Sequence, residues 1–101
     1  MEEIKQHFEF ISFQHNLREH EFAVLWEMIQ GKTTEEICIK LGYARSTIEK
    51  YQTTIYEKLN IGGRRELARW VLEKVLTLQK QTLYIHQSYL YDRHYPQASS
   101  R

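Results

Sequence analysis

Hydrophobic positions in the middle of the chain recur at intervals of three and four residues, with glycine or polar residues at each break. This period is typical of amphipathic helices, and the strict polar and apolar alternation that indicates strands is nearly absent. The pattern predicts helices over about 17–30, 34–41 and 45–59, with Gly31 and Gly42 ending the first two. The chain is therefore predicted to be all-α.

Helix-start signals support the first two of these boundaries. Asn16 is followed three residues later by Glu19, and Thr33 is followed at the same spacing by Glu36. In such a capping box the two side chains exchange hydrogen bonds with the free amides of the first turn. We expect a capping box at the start of each helix.

Three short helices separated by tight polar turns are typical of a helix-turn-helix, whose reading helix enters the major groove of DNA. On the helix over 45–59, one side is expected to be buried and the other is polar. The candidates for base contact on the polar side are Glu49, Lys50 and Thr53. Lysine donates to guanine O6 and N7, glutamate accepts from cytosine N4, and threonine can contact a thymine methyl. A solvated face of mixed charge explains the same residues equally well.

The distribution of charge favours DNA binding, although the formal net charge of the whole chain is only +1. Residues 32–65 contain seven basic and four acidic side chains, a local excess of three positive charges. A basic patch around a reading helix is the electrostatic feature expected for phosphate contact. The residues expected to contact phosphate are Lys32, Arg45, Ser46, Thr47, Tyr51, Lys58 and Arg64. For Tyr51, a half-buried ring edge is an equally good interpretation.

Composition and spacing argue against several other classes of protein. With 101 residues, 42% of them hydrophobic, the chain can bury one modest core. No apolar run is long enough to span a bilayer and the N-terminus is acidic, so we expect a cytoplasmic protein, nucleoid-associated when bound to DNA. The single Cys38 is expected to be a packed thiol. The five histidines lack metal-ligand spacing and no catalytic motif is present, so we expect no metal, no cofactor and no enzymatic activity.

The segment from Leu17 to Val71 resembles the LuxR-type, or GerE-type, family of bacterial helix-turn-helix regulators. The resemblance is carried by many positions in register, which are Leu17, Glu21, Val24, Leu25, Gly31, Lys32, Thr33, Glu36, Ile37, Leu41, Thr47, Ile48, Ile55, Lys58, Leu59, Ile61, Arg64 and Leu67. It implies a four-helix DNA-binding domain whose third helix enters the major groove and whose fourth helix mediates dimerisation. It also implies base contacts by Glu49, Lys50 and Thr53, and phosphate contacts by Thr47, Tyr51 and Lys58.

The reading helix departs from the family pattern at its start. Ala44 stands where the family generally has a capping serine, and Ser46 with Glu49 is expected to form a replacement capping box. A glutamate engaged in a cap cannot also read a base, so two roles are open for Glu49. Glu49 and Tyr51 also replace residues that are often basic or histidine, which predicts weak or atypical DNA binding.

The fourth helix is predicted to be long, from about Arg64 to near Tyr91. Its apolar residues step by threes and fours as in a coiled coil, and those assigned to a dimer interface are Val71, Val75, Leu78, Thr82, Ile85 and Tyr89. A second apolar stripe beside them consists of Leu72, Leu76, Leu83 and Leu90. The N-terminal segment is the other candidate for covering one stripe, through Ile4, Phe8, Ile11 and Phe13. We expect this segment on one side of the helix and a second copy of the chain on the other.

These predictions combine into one organisation of the chain. It consists of an N-terminal extension packed on the C-terminal helix (1–15), a helix-turn-helix domain (16–71), an extended dimerisation helix (72–92) and a flexible tail (93–101). The expected function is regulation of transcription by a homodimer that reads a palindromic operator in double-stranded DNA. The alternative is a protein-interaction module of the same fold that binds another regulator or RNA polymerase without reading DNA. The tyrosine-rich C-terminus favours this alternative.

Overall fold

The structure is a computed structural model that describes residues 2–80, and over that range it contains five helices and no strand. They are α1 (Glu2–Gln14), α2 (Glu19–Ile29), α3 (Thr34–Leu41), α4 (Arg45–Leu59) and α5, which begins at residue 64 and continues to residue 80. The predicted all-α fold is confirmed, and the helices predicted over 34–41 and 45–59 have the expected bounds. As far as they are described, none of the five helices is long and apolar enough to cross a membrane.

The N-terminal segment forms a helix of its own, which the expected four-helix domain does not include. Phe8 on α1 is fully buried, and its ring centroid lies 5.8 Å from that of Trp70 on α5. One residue earlier, His7 Nε2 lies 3.3 Å from the backbone oxygen of Lys74, within hydrogen-bond distance. α1 also packs on α2. It therefore covers one side of α5 and adds its own apolar residues to the core.

The outer face of α1 carries two aromatic rings that are not buried. Phe10 is 63% exposed and Phe13 is 78% exposed. The expectation that Phe13 helps to cover the C-terminal helix is wrong. At about 100° per residue, the five residues from Phe8 to Phe13 rotate its side chain roughly 140° away from the buried face.

The start of α2 differs from the predicted capping box. Asn16 has a φ of 65° and lies in the turn between α1 and α2, and the helix begins at Glu19. The amide of Arg18 donates to Oε1 of Glu21 at 2.8 Å, so the carboxylate that satisfies this amide belongs to Glu21. The predicted capping box of Asn16 with Glu19 is wrong, because asparagine serves here as a residue that tolerates the left-handed conformation.

Both ends of α3 follow the sequence signals. Thr33 Oγ1 accepts a hydrogen bond from the amide of Glu36 at 3.2 Å, and Glu36 Oε1 accepts one from the amide of Thr33 at 2.8 Å. At the other end, Gly42 has a φ of 75° and donates its amide to the backbone oxygen of Cys38. The predicted capping box and glycine stop are both confirmed, and they fix the turn that leads into α4.

The start of α4 has no side-chain cap. Ala44 precedes the helix, which begins at Arg45, so Ser46 already lies inside the first turn. The Glu49 carboxylate accepts a hydrogen bond from Arg45 Nε at 3.0 Å instead of bonding to the backbone of Ser46. The predicted capping box of Ser46 with Glu49 is wrong, because the helix begins two residues too early for Ser46 to cap it.

The core lies where α2, α3 and α4 meet. Val24 and Leu25 from α2, Ile37 from α3, and Ile48 and Ile55 from α4 are all fully buried. Burial of one complete side of α4 fixes its rotation about its own axis. The exposed side of α4 therefore faces solvent in a fixed orientation.

The inner stripe of α5 packs within the chain. Leu67 and Trp70 are buried, and Val71 and Val75 pack against the core at partial burial. The Lys74 ammonium lies 5.7 Å from the centre of the Trp70 ring, a distance at which the cation is attracted by the ring face. Sequence reasoning missed Trp70, which anchors α5 to α1.

The outer stripe of α5 is open. Leu72 and Leu76 are 58% and 54% exposed. The predicted interface residues Thr82, Ile85 and Tyr89 lie outside the described residues, as do Leu83, Leu90 and the predicted tail over 93–101. Within the described part, α5 thus has one side on the core and one apolar side facing solvent.

Replacement of Phe8 by alanine tests the packing of α1 on α5. Because Phe8 is fully buried against Trp70, Phe8→Ala should lower the free energy of unfolding by about 3–5 kcal/mol. Phe13→Ala, on the same helix but exposed, is the matched control and should change it by less than about 0.5 kcal/mol. Urea denaturation followed by circular dichroism measures both values. Equal effects of the two substitutions would contradict this packing.

Candidate nucleic-acid interface

The polar face of α4 lies opposite its buried face and is open to solvent. Ile48, Ile55 and Leu59 hold the helix against its neighbours. The residues exposed along the other side are Ser46, Glu49, Lys50, Thr53 and Glu57. They recur at helical spacing, so one continuous side of α4 is free to approach a major groove.

Among the three residues predicted to contact bases, Lys50 is the one with an uncommitted charge. Its ammonium makes no ion pair with any other side chain of residues 2–80. On the next turn, Thr53 Oγ1 donates to the backbone oxygen of Glu49 at 3.1 Å, which leaves the oxygen lone pairs and the methyl group exposed. Lys50 and Thr53 therefore present a cationic donor next to an acceptor and a methyl group.

Glu49 and Arg45 are engaged with each other. Arg45 Nη1 donates to Glu35 Oε2 at 2.6 Å, and Arg45 Nε donates to Glu49 Oε2 at 3.0 Å. The hydrogen bonds that Arg45 donates to Glu35 and Glu49 raise the pKa of its guanidinium, and they lower the pKa of the Glu35 carboxyl. These contacts link α3 to the first turn of α4. All three side chains are exposed, so the pairs are weak enough to exchange for other contacts.

The second turn of α4 makes one further contact with α3. Gln52 Nε2 donates to Thr34 Oγ1 at 3.3 Å. In the first turn, Ser46 is exposed and Thr47 is half-buried, and no side chain caps the helix. Unpaired amides and the positive end of the helix dipole favour an anion at this position. Ser46 and Thr47 are thus placed where predicted phosphate contacts would benefit from the helix itself.

Lys58, predicted to bind phosphate, joins α4 to α2 within the protein. Its Nζ donates to Glu21 Oε1 and to the backbone oxygen of Asn16, both at 2.8 Å. The Lys58 side chain is 28% exposed and that of Glu21 is 8% exposed. Sequence reasoning missed this pair because its members are 37 residues apart and no local pattern connects them.

The environment of Glu21 favours its charged form. Burial raises the pKa of the Glu21 carboxyl, but the hydrogen bonds from the Arg18 amide and the Lys58 ammonium lower it more, assisted by the charge of Lys58. The net result is a pKa below the ordinary value of 4.5. The folded state therefore binds a proton at Glu21 less readily than the unfolded chain does, which couples stability to pH.

Two further predicted phosphate contacts meet beside the turn between α2 and α3. Arg64 Nη2 donates to the backbone oxygen of Lys32 at 2.9 Å. Arg64 is exposed, Lys32 is half-buried, and the Lys32 ammonium forms no ion pair in the part of the chain that is described. The structure brings these two residues together at one place on the surface.

Tyr51 lies half-buried between two aromatic rings at the margin of the α4 face. Its ring centroid is 4.8 Å from that of His20 and 5.7 Å from that of Tyr43, which meets it edge-on. Sequence reasoning singled out Tyr51 and missed Tyr43. The sequence feature that could have identified Tyr43 is its position directly after Gly42, the glycine that ends α3. A phosphate contact by the Tyr51 hydroxyl stays a prediction.

The arrangement offers hydrogen bonds and positive charge. Across residues 2–80, no group of three or more His, Cys, Asp or Glu side chains is placed to hold a metal ion. What α4 presents to solvent is a row of short polar groups, one uncommitted ammonium and an uncapped amino end. Such a surface is suited to contact base edges and phosphates.

Comparison with known proteins identifies the same segment. Residues 15–71 match the family model described as GerE, bacterial regulatory proteins, luxR family. The match covers more than half of the chain, from the start of the α1–α2 turn into α5, and includes every residue of the candidate interface. α1 lies outside it. Searches of curated proteins and of solved structures gave no match.

The pair of Glu21 with Lys58 should make stability depend on pH. Because the folded pKa of Glu21 is below 4.5, its stabilising contribution is complete above about pH 4.5 and is lost as pH falls through the folded value. Glu21→Gln should therefore flatten the fall in unfolding free energy between about pH 5 and pH 3. Glu19→Gln, an exposed change in the same turn, should leave that fall unaltered. Urea denaturation at each pH measures the difference, and a larger effect of Glu19→Gln would contradict the assignment.

Proposed function

The chain belongs to the luxR family of bacterial regulatory proteins, which are DNA-binding helix-turn-helix regulators, and on that premise we propose that it regulates transcription by reading an operator with α4. The observation that supports this most directly is the exposed polar face of α4, where Lys50 has no ion pair within residues 2–80. The buried residues on the opposite side of α4 pack against the core, so its polar face is already oriented in the free protein.

In this proposal α4 enters the major groove with its amino-terminal half. Lys50 donates to O6 and N7 of a guanine, and Thr53 contacts a thymine methyl or accepts from a base amino group. Glu49 reads a cytosine N4 amino group if it releases Arg45, with which it is paired in the free protein. Lys50 and Thr53 can then contact bases directly, whereas Glu49 must first release Arg45.

Phosphate contacts position the helix in the groove. The first turn of α4, at Ser46 and Thr47, receives one phosphate, and Lys32 with Arg64 reaches another. Arg45 is exposed and can exchange its two carboxylates for a phosphate oxygen. Lys58 is different, because a phosphate contact requires it to leave the buried carboxylate of Glu21. We propose that Lys58 stabilises the fold in the free protein more than it attracts DNA.

We further propose that two copies of the chain pair through α5 and read a palindromic operator. In such a dimer the half-sites lie about one helical turn apart, roughly 34–36 Å. Among the positions assigned to the interface, Val71 and Val75 pack against the core of their own chain. The exposed Leu72 and Leu76 are therefore the described residues best placed to meet the partner.

One observation favours the alternative of a protein-interaction module. Arg45, Lys58 and Arg64, three of the cations expected to attract phosphate, each donate a hydrogen bond within the protein. The charge available to DNA is smaller than the sequence alone indicates. In this alternative the partner is another regulator or RNA polymerase, and α4 reads no DNA.

Selection of bound duplexes from a randomised pool at near-physiological salt tests DNA reading. We expect an enriched palindromic motif, and Lys50→Ala should weaken binding to it by roughly 5- to 150-fold, the equivalent of about 1–3 kcal/mol for one base contact. The double variant Lys50→Ala, Thr53→Ala should lose the motif. Lys5→Ala removes a lysine of α1 and should retain both motif and affinity. No enrichment with a folded protein would favour the interaction module.

Substitution of the outer stripe of α5 tests the dimer. Leu72→Gln together with Leu76→Gln should weaken self-association at least tenfold in sedimentation equilibrium while helix content stays unchanged, since both side chains are more than half exposed. Ile39→Gln is the control, because Ile39 is an 83% exposed residue of α3. A dimer unaffected by the α5 substitutions would exclude this stripe as the interface.

A further inference from the structure

One flank of α4 lies along the start of α2. Tyr51, Thr54 and Lys58 recur at intervals of three and four residues and are all half-buried, so they lie between the exposed and the buried sides of the helix. The ring of Tyr51 meets His20, and the ammonium of Lys58 meets Glu21. Both contacts are made to the first turn of α2, which therefore borders this side, the α2 flank of α4.

Three aromatic rings from different elements meet on the α2 flank. The ring centroid of Tyr51 lies 4.8 Å from that of His20 on α2, and 5.7 Å from that of Tyr43 in the turn between α3 and α4. Tyr43 is 38% exposed, and His20 is half-buried. The Tyr51 ring is thus contacted from two sides, with an imidazole as one of its neighbours.

The polar atoms of His20 and Tyr51 are unpaired and accessible. Within residues 2–80, no hydrogen bond joins the His20 nitrogens or the Tyr51 hydroxyl to another group. The buried side-chain N and O atoms without a partner in that range belong to Ser12 and Glu27. The unpaired atoms of His20 and Tyr51 therefore reach solvent, and two neighbouring side chains can donate to a ligand.

The charges around His20 balance one another. The titratable side chains around it are Arg18, Glu19, Glu21, Tyr43, Tyr51 and Lys58. Glu21 is close enough to interact with His20 electrostatically, but it is already ion-paired with Lys58 at 2.8 Å. Arg18 and Glu19 are exposed and have opposite charges. A proton on His20 therefore gives this surface a net positive charge.

The α2 flank is placed to meet the DNA backbone. An α-helix with its side chains is about 10–12 Å across, and the major groove of B-DNA is about 12 Å wide. A helix in the groove therefore has a sugar–phosphate backbone along each of its flanks. With Lys50 and Thr53 turned toward the bases, the α2 flank and its two unpaired donors face one of these backbones.

We propose that His20 contacts a DNA phosphate and makes DNA binding depend on pH. This rests on the proposed function, since it requires α4 in the major groove. The protonated imidazole donates to a phosphate oxygen in a charge-assisted hydrogen bond, and the Tyr51 hydroxyl donates to the same backbone. Histidine ordinarily changes its charge between about pH 5 and pH 8. Because the protonated form binds phosphate more tightly, affinity increases as pH falls through this range.

Binding measured as a function of pH tests the proposal. The probe is a fluorescent duplex of about 30 base pairs that carries the motif enriched in the selection, and the reference is the same duplex with the motif scrambled. We expect the full chain to bind both duplexes at least about threefold more tightly at about pH 6 than at about pH 8, at constant ionic strength. The effect is equal on both duplexes because a phosphate contact reads no sequence.

Variants assign the pH dependence to His20. His20→Phe keeps a ring beside Tyr51 but takes up no proton, so it should bind at either pH as the unaltered chain does at about pH 8. His20→Arg is always charged and should bind tightly at both. His7→Gln is the matched control and should retain the pH dependence, since His7 is half-buried against Lys74 on α5. Circular dichroism checks that each variant keeps its helix content.

The outcomes separate this inference from the proposed function. Binding of the motif with no pH dependence, or with a pH dependence that His20→Phe retains, would overturn the inference alone. An effect of His20→Phe confined to the motif would also overturn it, because that result indicates base contact. Absence of binding to either duplex by a folded protein would overturn the inference and the proposed function together. Loss of the pH dependence on both duplexes in His20→Phe, with His7→Gln unchanged, supports it.

Discussion

The contact of Lys58 with Glu21 and Asn16 fixes the carboxyl end of α4. It joins the last turn of α4 to the start of α2, and among the described residues Lys58 is the only cation that forms an ion pair with the buried carboxylate of Glu21. At the opposite end, Arg45 and Gln52 hold the first turns to α3 through exposed and weaker contacts. The helix is therefore firmly fixed at its carboxyl end and adjustable at its amino end, where base contact is proposed.

Local signals predicted much of the fold. The bounds of α3 and α4 followed from Thr33, Gly42 and helical periodicity, because each of these acts within a few residues. The failures share a physical reason. Asn16 and Ser46 have the spacing of capping residues, but a shift of two residues in each helix start changes the role of the side chain completely. Phe13 was grouped with Phe8 by apolar character, although rotation about the helix separates them.

The candidate site was predictable in outline. Periodicity identified the exposed face of α4, and charge counting identified the basic segment around it. Neither could show which cations are already engaged, because Lys58 meets Glu21 across 37 residues and Arg64 meets Lys32 across 32. In the structure, some cations of the predicted basic patch make contacts within the fold, and others form no ion pair with any described side chain. Residues 2–30, in contrast, contain six acidic and two basic side chains.

The contact between Phe8 and Trp70 helps to orient α5 relative to α1. Trp70 is on α5, and its neighbours Leu72 and Leu76 point away from the core on the same helix. Loss of the α1 contact would expose the Trp70 ring and remove one of the contacts that orient α5. If two copies pair through α5 as we propose, the orientation of α5 sets the separation of the two α4 helices. The operator spacing that such a pair accepts would then depend on two aromatic rings, neither of which lies on α4.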